Sequence, residues 1–149
     1  MISESQRKET GEMGRFSVDI SLANNRDVQL AAAGALSEDE VRRAVVAAVV
    51  DTGAAHLVLP EKVVDELGFP EAGQVKVRYA VHRTGKRRRV SNVVLEAAGR
   101  EAVFTAIVEP KRETALLGAV VLEELDLVVD CTAGALHPRD PDWIISEIE

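Results

Sequence analysis

The sequence contains little cysteine and few aromatic residues. Its single cysteine, Cys131, cannot form a disulfide within the chain, which favours a reducing, cytoplasmic setting. Phenylalanine, tryptophan and tyrosine make up 3% of the residues, although the hydrophobic fraction is 46%. Valine, leucine and alanine must therefore supply most of the core, and β-branched side chains favour strands. A chain of 149 residues is long enough for one domain with a single core.

The sequence also lacks long apolar runs and an excess of positive charge. No stretch approaches the roughly 18 consecutive apolar residues that a membrane-spanning helix needs, and the first dozen residues contain no apolar signal-peptide core. The formal net charge of −7 disfavours general binding to nucleic acid or to an anionic membrane. The three histidines show no spacing typical of metal ligands. We therefore expect a cytoplasmic protein with no metal, no cofactor, no nucleic-acid partner and no membrane partner.

The most unusual stretch present runs from Ala44 to Pro60 and has the sequence AVVAAVVDTGAAHLVLP. A run of small apolar residues ends at Asp51, and a second apolar segment begins at Leu57. Aspartate is rarely buried unless another group pairs with it. Asp51 is therefore either a surface turn residue or a residue to which the fold brings a partner, and both interpretations stay open at this point.

Alternation of apolar and polar residues predicts a chain composed mainly of short strands. Strands are predicted over 16–22, 28–33, 42–50, 57–59, 75–81, 90–96, 102–108 and 127–129. The acidic stretch 37–40 matches a helix capping box. We interpret it as a surface turn before strand 42–50, because the valines of that strand are β-branched.

Short helices are predicted over 60–67 and 120–125, and a further one after Asp140, an N-cap candidate that precedes Pro141. The whole pattern predicts an all-β fold, a small closed barrel with one or two short helices. The expected organisation is a flexible polar N-terminal tail over 1–13, one domain over 14–138 and a C-terminal extension over 139–149 that forms a short helix.

Asp51, Thr52 and Gly53 form a triplet that on its own is a common turn sequence. Its context is more specific, because apolar residues precede the triplet, and an alanine, an apolar strand and a short helix follow it. The late segment ALLGAVVLEELDLVVD contains the apolar-apolar-Gly sequence Leu116-Leu117-Gly118. Together these features resemble the retropepsin-like aspartic peptidases, in which the late motif is the partner of the Asp-Thr-Gly loop. The resemblance extends over about residues 16–137.

The resemblance implies a barrel of the acid-protease type that functions as a homodimer and hydrolyses bonds of a peptide or protein substrate. This chemistry needs two carboxylates about 3 Å apart that share one proton. The chain has a single Asp-Thr-Gly, and no other aspartate is followed by Thr-Gly or Ser-Gly. The second carboxylate would therefore be Asp51 of another copy of the chain.

The resemblance also implies roles for individual residues. Asp51 would be catalytic, Thr52 would brace the two loops across the dimer, and Gly53 would let the substrate backbone approach closely. The hairpin turn after the helix would fold over the substrate as a flap. The implied substrate-binding residues are Ala54, Ala55, His56, Val81, His82, Arg83, Thr84, Gly85, Leu117 and Gly118.

Two alanines mark a departure from the retroviral members of this family. Those members carry an aspartate at the position of Ala55 and an arginine at the position of Ala119. In those members the aspartate and the arginine form an ion pair. Both are missing here, so no charge is left unpaired. A second interpretation therefore stays open, in which the chain is a catalytically silent module of the same fold that binds a peptide or supports assembly.

A basic run, Lys86-Arg87-Arg88-Arg89, interrupts the otherwise acidic chain. On a strand, Lys86 and Arg88 would point to one face, and Arg87 and Arg89 to the other. The run is either a solvated arm of the hairpin or a site that favours an acidic substrate or partner.

Overall fold

The computed structural model describes residues 15–149, which form nine strands, three short α-helices and one 3-10 turn. The strands are β1 (Arg15–Asn24), β2 (Arg43–Asp51), β3 (Leu57–Pro60), β4 (Glu71–Arg78), β5 (Thr84–Ala97), β6 (Arg100–Glu109), β7 (Ala115–Leu117), β8 (Leu127–Asp130) and β9 (Ala135–Pro138). The helices are α1 (Asn25–Ala32), α2 (Glu61–Leu67) and α3 (Ala119–Leu125), and the 3-10 turn is Glu38–Glu40.

Six of these strands close into a barrel. Their order is β1-β2-β7-β3-β6-β5, and β5 completes the circle by pairing with β1. Strand β4 pairs with the first half of β5 outside this circle, so the two strands project as a hairpin. Strands β8 and β9 form a separate two-stranded sheet. The predicted all-β closed barrel is confirmed.

The barrel interior is filled mainly by aliphatic side chains, as the low aromatic content indicates. Alternation along β1 points Phe16, Ile20 and Leu22 inward, and each is 1% exposed. Burial of one such side chain stabilises the fold by about 1.5–3 kcal/mol. The other large and fully buried side chains are Leu57, Leu59, Leu95, Leu117, Leu125, Val50, Val64, Val90 and Val93.

Most predicted elements are confirmed, with small shifts of their boundaries. The strand predicted over 42–50 is β2, and the helices predicted over 60–67 and 120–125 are α2 and α3. The strands predicted over 75–81 and 90–96 form the β4–β5 hairpin. The acidic stretch 37–40 is a turn, as expected, in which the Ser37 N–H donates to the Glu40 carboxylate at 3.2 Å.

The strand predicted over 28–33 is wrong, because this segment belongs to α1. Asn24 ends β1 and caps the helix, since its Oδ1 accepts from the backbone N–H groups of Arg26 and Asp27 at 2.9 and 3.3 Å. Asparagine is among the preferred N-cap residues. The residues after Val28 are good helix formers without β-branching. The described part of the chain therefore contains three α-helices rather than one or two.

The predicted C-terminal helix is also wrong, because no helix or strand follows β9 in the described residues. Asp140 does form a capping turn, and its carboxylate accepts from the N–H groups of Asp142 and Ile144 at 2.8 and 3.2 Å. Trp143, however, has a φ of 65°, a left-handed conformation that interrupts a helix. The Trp143 ring lies against the Arg100 guanidinium, whose central carbon is 5.5 Å from the ring centroid.

The tail predicted over 1–13 lies outside the described residues. The boundary expected between 138 and 139 stays a prediction, although β9 ends at Pro138. Within residues 15–149, no helix has the length and apolar character required to cross a membrane.

Asn24 satisfies backbone groups at the ends of two helices. Besides capping α1, its Nδ2 donates to the carbonyl oxygens of Leu67 and Gly68, at the C-terminal end of α2, at 2.7 and 3.2 Å. The residue is 1% exposed. A single buried amide therefore holds both helices against β1.

We expect Asn24→Asp to destabilise the fold by about 2–4 kcal/mol, because the carboxylate keeps the capping acceptor but buries a charge and loses both donated hydrogen bonds. The free energy of unfolding in urea measures this loss. The control is Gln74→Glu, the same change of amide to carboxylate at an exposed residue of β4, which we expect to change that free energy by less than about 0.5 kcal/mol. Equal losses in the two variants would contradict the role assigned to Asn24.

Candidate active site

Asp51 is the last residue of β2, where this strand reaches the edge of the barrel. Antiparallel pairing with β1 places Asp51 opposite Arg15. Parallel pairing with β7 places the preceding residue, Val50, opposite Leu117. Val50 has no exposed surface. The buried strand therefore holds the Asp51 carboxylate at a defined position.

A tight turn orients the carboxylate of Asp51. The Gly53 N–H donates to Oδ1 of Asp51 at 3.0 Å, and the Ala54 N–H donates to the Asp51 carbonyl at 3.1 Å. This is the aspartate turn that the triplet predicts. The Asp51 side chain is nevertheless 17% exposed, and Thr52 and Gly53 are exposed. The carboxylate is therefore held in one orientation while solvent still reaches it.

The residues that follow the turn are joined to the start of α3. The carbonyl oxygens of Ala54 and Ala55 accept from the N–H groups of Ala119 and Val120 at 2.8 and 2.9 Å. These N–H groups belong to the first turn of the helix, where they have no partner within the helix. The two loops are thus connected through their backbones, although neither Ala55 nor Ala119 carries a charge.

Gly118 lies directly against the backbone of the same loop. A Cβ atom on Gly118 would lie 2.6–2.7 Å from backbone atoms of Ala55 and His56. Leu117, the residue before it, is opposite Val50 on one side and Leu57 on the other. The structure thus brings together the two segments that the sequence analysis paired, the Asp-Thr-Gly loop and the Leu117-Gly118 motif.

Arg15 is the ion-pair partner of Asp51 within the described chain. Its Nη2 is 3.3 Å from Oδ2 of Asp51, and the Arg15 side chain is 51% exposed. An ion pair with this exposure stabilises the fold little. Arg15 precedes the predicted first strand and was not among the predicted site residues. The only signal for it is the β1–β2 register, which an apolar pattern alone does not determine.

Arg112, in the loop between β6 and β7, is a second cation close to Asp51. Its Nε donates to the Thr114 carbonyl at 2.7 Å, and its Nη2 to the Thr114 hydroxyl at 3.2 Å. Burial lowers the pKa of Arg112, whereas the charges of Glu109 and Asp51 favour its protonated form and Arg15 opposes it. Arg112 therefore shares the electrostatic environment of Asp51. No sequence pattern indicated this residue.

The hairpin residues assigned to substrate binding lie around the turn between β4 and β5. The Tyr79 N–H donates to the Arg83 carbonyl at 2.7 Å, and the His82 N–H to the Tyr79 carbonyl at 2.9 Å. Val81, at the tip, is 75% exposed. Among residues 15–149, no hydrogen bond or ion pair connects this turn with the Asp51 loop. The structure therefore groups Val81 to Gly85 at one tip but does not bring them onto Asp51.

His56 lines a small cavity of about 250 Å³ beside the hairpin. Val75 of β4, Arg89 of β5 and Ile107 of β6 line the same cavity. His56 is itself an exposed residue. The predicted site residue thus lies next to one cation of the basic run.

The geometry agrees with a comparison against known families. The family model described as "gag-polyprotein putative aspartyl protease" matches residues 39–124, more than half of the chain. The matched range contains the Asp51 loop, the β4–β5 hairpin and Gly118. Among curated proteins, no sequence matches this chain significantly. The predicted retropepsin-like fold is confirmed.

We expect Gly118→Ala to destabilise the protein by about 1–3 kcal/mol, because the added methyl group meets backbone atoms that cannot rotate away. The unfolding midpoint in urea measures the loss. Gly53→Ala is the matched control, since a Cβ there would meet nothing closer than Oδ1 of Asp51 at 3.4 Å. If Gly118→Ala unfolds at the same urea concentration as Gly53→Ala, the close backbone contact is not a constraint on the fold.

Proposed function

The chain belongs to the gag-polyprotein aspartyl protease family, and from this premise we propose that it is an aspartic endopeptidase that works as a homodimer. Its substrate is a peptide or protein, and Asp51 from each of two copies forms the catalytic pair. The observation that supports this most directly is that Asp51 is held in a fixed turn and yet is partly exposed. Its turn is held by Gly53 and by α3, while its side chain stays partly exposed at the barrel edge. A second copy can reach a carboxylate placed in this way.

The proposed reaction follows from two carboxylates in contact. Two Asp51 side chains about 3 Å apart cannot both ionise, so they share one proton. The ionised carboxylate takes a proton from a water molecule, which attacks the scissile carbonyl carbon, while the protonated one donates a hydrogen bond to the carbonyl oxygen. The tetrahedral intermediate then collapses as its oxyanion re-forms the carbonyl group, and the amide nitrogen leaves with the proton that the carboxylate took from the water. The Gly53 N–H at 3.0 Å holds the carboxylate in one orientation throughout.

Arg15 supports the approach of two copies in this proposal. Two like charges a few ångströms apart repel each other, and a cation close to both reduces that repulsion. The Arg15 guanidinium is 3.3 Å from Oδ2 of its own Asp51. In the proposed dimer, each copy therefore contributes one positive charge next to the Asp51 pair. Arg15 lies outside the matched range 39–124.

We expect Asp51→Asn to lower kcat/KM for peptide cleavage by at least about 100-fold, because an amide cannot accept the proton of the attacking water. Cleavage of a synthetic peptide library, followed by mass spectrometry between about pH 4 and 7, measures the activity. The control is Asp19→Asn, which removes an exposed carboxylate from β1 and should leave cleavage unchanged. Activity that survives in Asp51→Asn would rule out the proposed mechanism.

The same variant tests the homodimer when it is refolded together with wild-type chains. In an equal mixture about one quarter of randomly formed dimers contain two intact Asp51 residues, so activity should fall to about a quarter of that of the wild-type protein at the same total concentration. A fall to one half would show that each chain acts alone. The same mixture made with Asp19→Asn should keep full activity.

A catalytically silent module is the second candidate, and two observations favour it. The alanines at 55 and 119 remove the charged pair typical of retroviral members, and Arg15 already occupies one oxygen of Asp51. Such a module would bind peptides without cleaving them.

A statine-containing inhibitor distinguishes the two candidates, because its hydroxyl group mimics the tetrahedral intermediate and needs an assembled carboxylate pair. For the endopeptidase, we expect wild-type protein to bind it at least about 100-fold more tightly than Asp51→Asn does. Calorimetric titration measures both affinities. Equal affinities would favour the silent module.

A further inference from the structure

A cavity of about 440 Å³ opens between the β4–β5 hairpin and the loop that follows β6. We call it the basic pocket, because its lining contains four cations and one carboxylate in a chain whose net charge is −7. The charged and aromatic residues of this lining are Tyr79, Arg83, Arg87, Glu109, Lys111 and Arg112.

Glu109, the carboxylate of the basic pocket, accepts hydrogen bonds from two of its neighbours. The Tyr79 hydroxyl donates to Oε2 and Oε1 of Glu109 at 2.8 and 3.1 Å, and Nε of Arg87 donates to Oε1 at 2.8 Å. Burial, together with the bond to Glu109, raises the pKa of Tyr79 and keeps its hydroxyl protonated as a donor. Glu109 therefore pairs directly with Arg87 and positions Tyr79.

The three remaining cations of the pocket have no carboxylate in direct contact with them among the described residues. Within residues 15–149, no carboxylate lies within 4.0 Å of the charged groups of Arg83, Lys111 or Arg112. Arg83 is held by the Tyr79 ring, with its guanidinium carbon 5.2 Å from the ring centroid, and Arg112 by hydrogen bonds to Thr114. Both are held in place without being neutralised. A concave surface with this excess of positive charge attracts anions.

The opposite face of β5 differs from the pocket, because carboxylates surround its arginine. Arg88, the sequence neighbour of Arg87, meets three carboxylates there, those of Glu71 at 2.7 Å, Asp65 at 3.6 Å and Glu61 at 3.7 Å. On one face of β5, three carboxylates therefore surround one arginine of the basic run, whereas on the other face Glu109 is the one carboxylate among the four cations that line the basic pocket. A solvated arm would show no such difference between its two faces.

Strand β7 connects the basic pocket to the Asp51 loop. Arg112 is bonded to Thr114, directly before β7, and Gly118, directly after β7, packs against the Asp51 loop. The 3 residues of β7 span roughly 10 Å, the length of about three residues of an extended peptide. The charges of Asp51 and Arg15 both act on Arg112. A peptide that reaches Asp51 can therefore also reach the pocket.

We infer that the basic pocket binds the carboxylate side chain of an aspartate or glutamate in the peptide substrate, so that this protein selects acidic peptides. The inference rests on the proposed function, which identifies Asp51 as a point on the path of the peptide. Arg83, Arg112 and Lys111 can each donate a charge-assisted hydrogen bond to that carboxylate, and such bonds are about twice as strong as neutral ones. The repulsive environment of the same cations excludes lysine and arginine side chains.

Binding to the Asp51→Asn variant tests the inference without cleavage. The probes are fluorescent decapeptides of alanine, leucine and phenylalanine that carry one glutamate, glutamine or lysine at each position in turn. By fluorescence anisotropy we expect the best glutamate peptide to bind about tenfold more tightly than its glutamine counterpart, and the lysine counterpart to bind more weakly still. The preference should decrease as the salt concentration rises.

Two double variants assign this preference to the pocket. Arg83→Gln with Lys111→Gln, in the same Asp51→Asn background, should reduce the preference for glutamate over glutamine from about tenfold to about twofold or less. Both side chains are exposed, so we expect the variant to fold. Arg26→Gln with Lys62→Gln removes the same charge from exposed sites on α1 and α2 and should leave the preference unchanged. Arg83→Glu with Lys111→Glu should instead favour the lysine peptide.

The binding and cleavage readouts separate the inference from the proposed function. Equal binding of glutamate and glutamine peptides, no binding of any peptide, or a preference that survives in Arg83→Gln with Lys111→Gln would overturn the inference. Cleavage of the same peptides by wild-type protein then decides the proposed function independently. A preference for glutamate without any cleavage supports the basic pocket and counts against the endopeptidase.

Discussion

The position of Asp51 depends on the close packing of two backbones, that of Gly118 and that of Ala55 and His56. This contact tolerates no side chain at 118, and two hydrogen bonds from the first turn of α3 extend it along the loop. Strand β7, only three residues long, pairs with β2 before the loop and with β3 after it. Because both ends of the loop are attached to the same short strand, the turn cannot shift without breaking that pairing. The rigidity of the Asp51 carboxylate is therefore a property of the barrel and not of the triplet alone.

Charge is distributed unevenly around this rigid point. The chain as a whole is acidic, yet the groups close to Asp51 are Arg15 and Arg112, and the basic pocket adds Arg83 and Lys111. In the proposed homodimer these cations serve two purposes, since they reduce the repulsion between two carboxylates and attract an anionic substrate. Attraction of an anion requires that Arg83 and Arg112 are held in place without being neutralised. Contacts with the Tyr79 ring and with the oxygens of Thr114 achieve this, because they fix a guanidinium group without placing a carboxylate in contact with it.

The two wrong secondary-structure predictions have a common physical cause. The segment after Asn24 forms a helix because the Asn24 side chain caps it while bonding to Leu67 and Gly68, more than forty residues away. The segment after Asp140 has a capping turn and an apolar face but forms no helix, since Trp143 packs against Arg100 in a left-handed conformation. In both cases the local pattern allowed two structures, and a contact with a distant residue selected one. Patterns that agreed with their distant contacts, such as those of β2, α2 and α3, were predicted correctly.

The sequence alone determined which face of each strand is apolar, the turn at Asp51, the pairing of that turn with the Leu117-Gly118 motif through its resemblance, and the presence of only one such aspartate. It also determined that Arg87 and Arg88 point in opposite directions, because side chains alternate along any strand. Only the tertiary structure decided what each of these residues meets. Arg15 lies at Asp51 because of the β1–β2 register, Arg112 because of the path of the loop into β7, and Glu109 beside Arg87 because β5 and β6 are neighbours. The period of a strand sets the direction of a side chain, whereas the order and register of strands set its neighbours, and these arise only when residues far apart in the sequence come together.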